Sequence, residues 1–114
     1  ALAAMTDAAR PGCQRGEIDT VHRKVFDDAG FGHARMSACG YSLGATYRPS
    51  WMDVPPMLYE GNPEPAAAGM VLFLHAILID ADAELAMSLG HTVVVQDGAP
   101  EILSGLDQQL TVCI

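Results

Sequence analysis

Residues 70–80 read Met-Val-Leu-Phe-Leu-His-Ala-Ile-Leu-Ile-Asp, and this almost continuously apolar stretch decides the fold. Its length and composition predict a central strand that is buried on both faces. Residues 85–96, which end in Thr-Val-Val-Val-Gln, predict a second strand. The Asp-Gly pair at 97–98 predicts a two-residue hairpin turn, after which residues 101–104 return beside the strand. Residues 110–114 are expected to add one more short strand.

The part of the chain before this stretch predicts two helices and a first strand. Residues 1–9 are rich in helix formers, and residues 17–29 place apolar side chains at helical spacing on one face, namely Ile18, Val21, Val25, Phe26 and Ala29. Residues 34–46 predict a strand, whereas residues 48–65 hold most of the seven prolines and predict a long irregular excursion. The result is a single α+β domain, in which two N-terminal helices precede a curved antiparallel sheet.

The composition excludes several classes of partner. The chain of 114 residues has a net charge of −8 and only six lysines and arginines, which argues against binding to nucleic acid or to an anionic membrane. No apolar run approaches the roughly 18 residues of a membrane span. Three cysteines without a Cys-x-x-Cys spacing suit a reducing compartment, so we expect a cytoplasmic protein. A start at Ala1, within a helix-like segment, suggests a piece of a longer protein.

The order of several short strings resembles a known family. These are Arg-Gly-Glu-Ile-Asp at 15–19 with Asp-Ala-Gly-Phe-Gly-His at 28–33, Gly-Tyr-Ser-Leu-Gly at 40–44, Gly-Met-Val at 69–71 and Thr-Val-Val-Val-Gln-Asp-Gly at 92–98. Together they resemble the C-terminal half of the pita-bread fold, which creatinase, aminopeptidase P, prolidase and methionine aminopeptidase share. The segment Tyr-Arg-Pro-Ser-Trp-Met-Asp at 47–53 is most similar to the branch that includes ectoine hydrolase.

The resemblance implies where a metal site would lie. Metal-dependent members hold two divalent ions with two Asp, one His and two Glu, and both Asp belong to the preceding half. In this chain the His corresponds to Tyr41, the first Glu to His75, and the second Glu to Gly90, with His91 beside it. A further catalytic His would fall at about Arg48. Because none of these ligands is retained, no bound metal or other cofactor is expected.

Three residues at or beside these positions are candidates for catalysis: His75, His91 and Tyr41. His75 lies in an apolar strand, where an imidazole must find a partner. It is either a ligand or general base, with His91 and Tyr41 nearby on the same concave face, or a core histidine that is hydrogen-bonded to a neighbour. A third alternative is a new mononuclear metal site built from His75, His91 and a tyrosine.

The remaining candidate residues lie before or after the Gly-Tyr-Ser-Leu-Gly motif at residues 40–44. Tyr47, Arg48 and Trp51 are candidates for substrate binding. Alternatively, Tyr47, like Tyr41, fills space in the strand, and Trp51 packs over the sheet. His22 is expected to face solvent or to flank the buried stripe of its helix. Cys39 has no basic neighbour in the sequence that would lower its pKa, and it is expected to be a buried thiol.

The resemblance and the lost ligands lead to two hypotheses of different classes. The chain is a fragment or degenerate member of a creatinase/Xaa-Pro peptidase-like family of C–N hydrolases, and it is inactive in isolation. Alternatively, it is a non-catalytic domain that binds a small ligand or a protein. One half of a two-half fold exposes an apolar sheet face, so we expect either a homodimer or the missing N-terminal half as the partner.

Overall fold

The computed structural model describes residues 1–44, 49, 52–109 and 112–113, with residues 52–56 described by their backbone only. Within these residues, two helices precede five strands. In chain order the elements are α1 (Leu2–Ala8), α2 (Arg15–Asp28), β1 (Ala38–Leu43), β2 (Met52–Tyr59), β3 (Val71–Asp80), β4 (Leu85–Val94) and β5 (Glu101–Ile102). The strands pair antiparallel in the order β2-β1-β3-β4-β5. The predicted α+β class is therefore confirmed.

The predicted irregular excursion over residues 48–65 is wrong for part of its length. It contains β2, which pairs with β1 from Ala38↔Tyr59 to Leu43↔Met52. The prolines at 55 and 56 argue against a strand in the sequence, because proline removes a ladder donor. They are tolerated here because β2 is an edge strand of the sheet. The first predicted strand also begins later than expected, at Ala38 rather than at residue 34.

The hairpin of β3 and β4 forms the longest ladder, which runs from Val71↔Val94 to Asp80↔Leu85. The predicted two-residue turn at 97–98 is wrong, because residues 95–100 all lie between β4 and β5, where Val93 pairs with Ile102. Val95 instead donates its backbone N–H to the carbonyl of Met70, at 2.8 Å. The predicted strand over residues 110–114 falls largely outside the described residues.

Both helices pack against one side of the sheet, which we call the helix face. Leu72, Leu74 and Val93 are fully buried there with Met5 and Ile18. Burial of each such side chain stabilises the fold by about 1.5–3 kcal/mol. β3 does lie in the centre of the sheet, but the expectation that both of its faces are buried is wrong. Its other face, the open face, is only partly covered.

The buried side of α2 is more polar than its sequence suggests. Arg15, Asp19 and His22 are buried together with Ile18, whereas Val25 is 37% exposed. The expectation that His22 faces solvent or flanks the stripe is wrong, since its side chain is fully buried. Hydrophobic spacing did not predict this burial, because Arg15, Asp19 and His22, at positions i, i+4 and i+7, lie on the buried face of α2. No helix in the described part of the chain is long and apolar enough to cross a bilayer.

Candidate functional site

The open face carries a row of three rings, Tyr41, Phe73 and His75, which we call the aromatic row. Tyr41 on β1 pairs in register with Phe73 on β3, and their ring centroids are 5.4 Å apart. The centroids of Phe73 and His75 are 5.0 Å apart. Alternation along β3 places these two rings on the same face. The structure therefore brings two of the candidate residues, Tyr41 and His75, to one surface.

His75 has a defined partner and a defined charge state. Its Nε2 lies 2.6 Å from the Oγ of Ser88 on β4. Burial lowers the pKa of His75 below its ordinary value, because removing the ring from water disfavours the charged form. His75 is therefore mostly neutral at pH 7. A neutral imidazole beside a hydroxyl can accept a proton or a hydrogen bond.

Gly90 lies directly opposite His75 in the ladder, and the Phe73 ring covers it. A Cβ atom built on Gly90 would lie 2.5 Å from Cζ of Phe73 and 3.0 Å from the carbonyl oxygen of Leu74. These distances are shorter than an ordinary carbon contact of about 3.5–4.0 Å. Phe73 thus fills the space into which a side chain at position 90 would extend.

A shallow depression of about 300 Å³ lies beside the aromatic row. Its lining includes Tyr41, His75, Met36, Met57 and Ile77. Met36 and Met57 are 41% and 39% exposed, so the depression is open to solvent. Flexible methionines and aromatic rings form an apolar lining with few polar groups, an arrangement typical of small binding clefts.

His91 does not join this site, and the expected grouping of His91 with His75 and Tyr41 on one face is wrong. It pairs with Leu74 in the ladder and, like Leu74, lies on the helix face. Its Nε2 is 2.7 Å from the Oγ1 of Thr6 on α1, and its Nδ1 contacts the side-chain amide of Gln108. Strand alternation sends His91 and its neighbour Gly90 to opposite faces.

The contacts of His91 fix its tautomer. The hydroxyl of Thr6 donates its hydrogen to the carbonyl of Leu2, at 2.9 Å. That hydroxyl must therefore accept from His91, which carries its proton on Nε2. Nδ1 then accepts from the amide of Gln108. The pKa of His91 is lowered by burial, so it is mostly neutral at pH 7 and joins α1 to β4. The expected mononuclear site of His75, His91 and a tyrosine is wrong, because the two histidines lie on opposite faces of the sheet.

The other substrate-binding candidates, Tyr47, Arg48 and Trp51, lie outside the described residues. Their predicted roles stay predictions.

The described residues at the three expected ligand positions of the open face do not fit a pair of divalent ions. The three positions that the family resemblance assigns to ligands hold a phenol, a neutral imidazole and a glycine. Divalent ions in such pairs are held by carboxylate oxygens, which also neutralise their charge. Neither Tyr41, His75 nor Gly90 supplies one, and the Phe73 ring covers the third position.

A different set of potential ligands, which the sequence did not predict, lies on the helix side of β1. Asp19, His22 and Cys39 are buried between α2 and β1, and one ligand atom from each lies within 4.8 Å of the other two. We call this set the buried cluster. The i, i+3 spacing of Asp19 and His22 on a predicted helix was visible in the sequence. Its approach to Cys39 is a tertiary contact that spacing alone does not reveal. The expectation that Cys39 is a buried thiol is confirmed.

Comparison with known proteins agrees with this architecture. The model of metallopeptidase family M24 matches residues 1–97. Dipeptidase PepE from Mycobacterium ulcerans has a TM-score of 0.84 at 23% identity, over 95% of this chain and 28% of its own. X-Pro aminopeptidase from Thermotoga maritima has a TM-score of 0.85 at 18% identity, over 97% of this chain and 30% of its own. Prolidase from Pyrococcus furiosus has a TM-score of 0.82 at 17% identity, over 93% of this chain and 30% of its own.

At these identities the likeness shows the fold, so the predicted resemblance to one half of the pita-bread fold is confirmed. The chain spans less than a third of the length of these solved structures. No curated protein sequence is similar enough to count as a match. The narrower assignment to an ectoine hydrolase-like branch stays a prediction.

Proposed function

The chain belongs to metallopeptidase family M24, and on this premise we propose that it is one half of a peptidase-like hydrolase of C–N bonds which is inactive by itself. The observation that supports this proposal is that Tyr41, His75 and Gly90, which the family resemblance aligns with metal ligands, supply no carboxylate. Two divalent ions bring four positive charges, and hydrolysis by such a pair depends on a metal-bound water. A neutral phenol and a neutral imidazole cannot balance that charge.

The groups that remain on the open face suit hydrogen bonding and proton transfer. We assign His75 the role of proton acceptor, supported by its lowered pKa and by its contact with Ser88. We assign Tyr41 the role of a hydrogen-bonding phenol at the edge of the same depression. The proposal gives His91 no part in the chemistry, because its contacts with Thr6 and Gln108 hold it on the helix face.

A second half is needed to complete the site. Solved relatives are more than three times as long as the matched region, which covers 28% of one and 30% of another. We propose that this half comes either from a preceding segment of a longer polypeptide or from a second copy of this chain. Three unpaired thiols, Cys13, Cys39 and Cys113, favour the reducing cytoplasm as the compartment. Sedimentation of the chain at several concentrations separates dimer from monomer.

An assay with Xaa-Pro dipeptides tests the loss of activity. The chain is incubated with Mn²⁺, Co²⁺ or Zn²⁺, and release of free proline is followed. We expect no release above that in buffer. Metal-dependent turnover that is lost in His75→Ala and kept in His33→Ala would refute the proposal. His33 is a suitable control because its side chain is 60% exposed and contacts Asp80, away from the aromatic row.

A second candidate function, binding without catalysis, is favoured by the aromatic row itself. Two rings and an imidazole stand side by side next to an apolar depression, and ring faces bind apolar groups such as the proline ring of a peptide. Titration of a short proline-containing peptide should shift the NMR signals of Tyr41 and His75. Phe73→Ala should abolish these shifts, whereas Phe31→Ala, which removes a 44% exposed ring elsewhere, should not. Absence of shifts in the unaltered chain would rule out this function.

A further inference from the structure

The buried cluster lies on the opposite side of β1 from the aromatic row. Asp19 and His22 extend from α2, and Cys39 precedes Gly40 and Tyr41 on β1. The register between β1 and β2 shifts between Ala38 and Tyr41, so the strict alternation of side chains is broken at this point. As a result Cys39 turns towards α2 while Tyr41 remains on the open face. The side chains of Asp19 and His22 are both 0% exposed.

His22 and Cys39 lie close enough to the carboxylate of Asp19 to interact with it electrostatically, but three polar atoms of the buried cluster have no partner within hydrogen-bond distance. These are Oδ1 of Asp19 and both ring nitrogens of His22. The shortest approach between the two residues, Nδ1 of His22 to Oδ1 of Asp19, is 3.6 Å, which is too long for a hydrogen bond. A buried polar group without a partner costs about 1–3 kcal/mol. Such groups in native proteins call for a specific explanation, and a bound ion is one.

The chemistry of the three donors selects a class of cation. An imidazole nitrogen, a thiolate sulfur and a carboxylate oxygen together suit a borderline cation such as Zn²⁺ or Co²⁺ rather than Mg²⁺ or Ca²⁺. Tetrahedral bonds of about 2.0–2.3 Å would place the donors roughly 3.3–3.8 Å apart. The present donors lie within 4.8 Å of one another, so they would approach one another by about 1.0–1.5 Å at most on binding a cation.

Groups around the cluster orient its carboxylate and balance its charge. Nε of Arg23 lies 2.5 Å from Oδ2 of Asp19, which holds the carboxylate and leaves Oδ1 for a ligand bond. Nη1 of Arg23 also lies 3.3 Å from Oε2 of Glu60. With Cys39 as a thiolate, three negative charges would balance Arg23 and one divalent cation. Contacts of this kind around metal ligands fix their orientation and strengthen binding.

The side chain of Cys39 is fully buried at the start of β1, and a thiol that coordinates a divalent cation gives up its proton and binds as the thiolate.

We propose that Asp19, His22 and Cys39 form a binding site for a single zinc-like cation, which ties α2 to β1 immediately before Gly40 and Tyr41. The cation would be structural, since its three protein ligands are buried and lie away from the depression on the open face. By fixing the start of β1 it would also fix the backbone from which Tyr41 extends.

Cobalt substitution tests this proposal directly. The full chain is treated with a chelator, titrated with Co²⁺, and followed by visible absorption. We expect one equivalent to give the charge-transfer band of a Co²⁺–thiolate bond and the intense d–d bands of a tetrahedral site, and Zn²⁺ to displace them. The proposal is overturned if the unaltered chain shows no thiolate band, or if Zn²⁺ does not displace the bound Co²⁺.

Single substitutions locate the site. Cys39→Ser should remove the thiolate band, and His22→Gln should abolish binding at one equivalent. Cys13→Ser and His33→Gln serve as matched controls and should keep both the thiolate band and binding at one equivalent. Retention of the band in Cys39→Ser, or its loss in Cys13→Ser, would contradict the assignment. Circular dichroism of each metal-free variant separates loss of a ligand from loss of the fold.

Discussion

Substitution of Gly90 by alanine tests whether the Phe73 ring fills the position assigned to a metal ligand. The added Cβ would lie 2.5 Å from Cζ and 3.0 Å from Cε2 of Phe73. The backbone of Gly90 is not in the left-handed region that favours glycine, so alanine is sterically acceptable to the backbone itself. The cost of the substitution in the folded state should therefore come from the ring and from the nearby carbonyl of Leu74.

Two opposing contributions set the magnitude. Overpacking of a filled space costs about 1–3 kcal/mol, whereas replacing glycine by alanine stabilises by about 0.4–1 kcal/mol through the unfolded chain. We expect Gly90→Ala to lower the free energy of unfolding by about 1–2 kcal/mol. In a Phe73→Ala background the collision with the ring is absent, and the same substitution should be close to neutral.

A double-mutant cycle by equilibrium urea unfolding measures this coupling. The four proteins are the unaltered chain, Gly90→Ala, Phe73→Ala and the double variant. Gly105→Ala is the matched control, because a Cβ there meets nothing within 4 Å, and its effect should stay within about 0.5 kcal/mol. If Gly90→Ala were harmless in the unaltered chain, or equally costly in both backgrounds, the claim that Phe73 occupies this space would be refuted.

Three other predictions follow from buried groups. His91→Leu should lower the free energy of unfolding by about 2 kcal/mol in urea at pH 7 through loss of two hydrogen bonds. Because burial lowers the pKa of His91, the unfolded chain binds a proton more readily than the folded chain. The free energy of unfolding should therefore fall as the pH drops below about 6.5. This fall should be smaller in His91→Leu. Asp19→Asn should lower the free energy of unfolding by about 3 kcal/mol, since it removes the buried carboxylate that pairs with Arg23, whereas Asp28→Asn, at an exposed pair with Lys24, should leave the free energy of unfolding nearly unchanged. A thiol reagent should modify exposed Cys113 at once but Cys39 only on unfolding, because burial raises the pKa of Cys39; equal rates would contradict this.

The sequence predicted the order of elements because apolar runs and β-branched residues leave a local signal. The long run that became β3 and the Thr-Val-Val-Val string in β4 are of this kind. The strand β2 was not predicted, because its prolines are compatible with a strand only at the edge of a sheet, and the sequence does not show that β2 lies there. Sheet order is a tertiary property, and no local pattern reports it.

The candidate site was only partly predictable for the same reason. Family resemblance assigned ligand positions to Tyr41, His75 and Gly90, and the register of the sheet brings these three residues near one another. The resemblance did not reveal that His91 lies on the helix face, although His91 follows Gly90 directly and side chains alternate between the faces along a strand. The contact of Cys39 with Asp19 and His22 depends on a β-bulge, which the glycine motif alone does not specify.

Anomalous diffraction from crystals grown with Mn²⁺ tests the central claim most directly. The claim is that the open face of this half no longer holds the divalent ions of its family. It predicts no anomalous peak within bonding distance of His75, Tyr41 or Gly90. One or two peaks at these residues, coordinated by His75, would contradict it and restore the metal-dependent interpretation of the site.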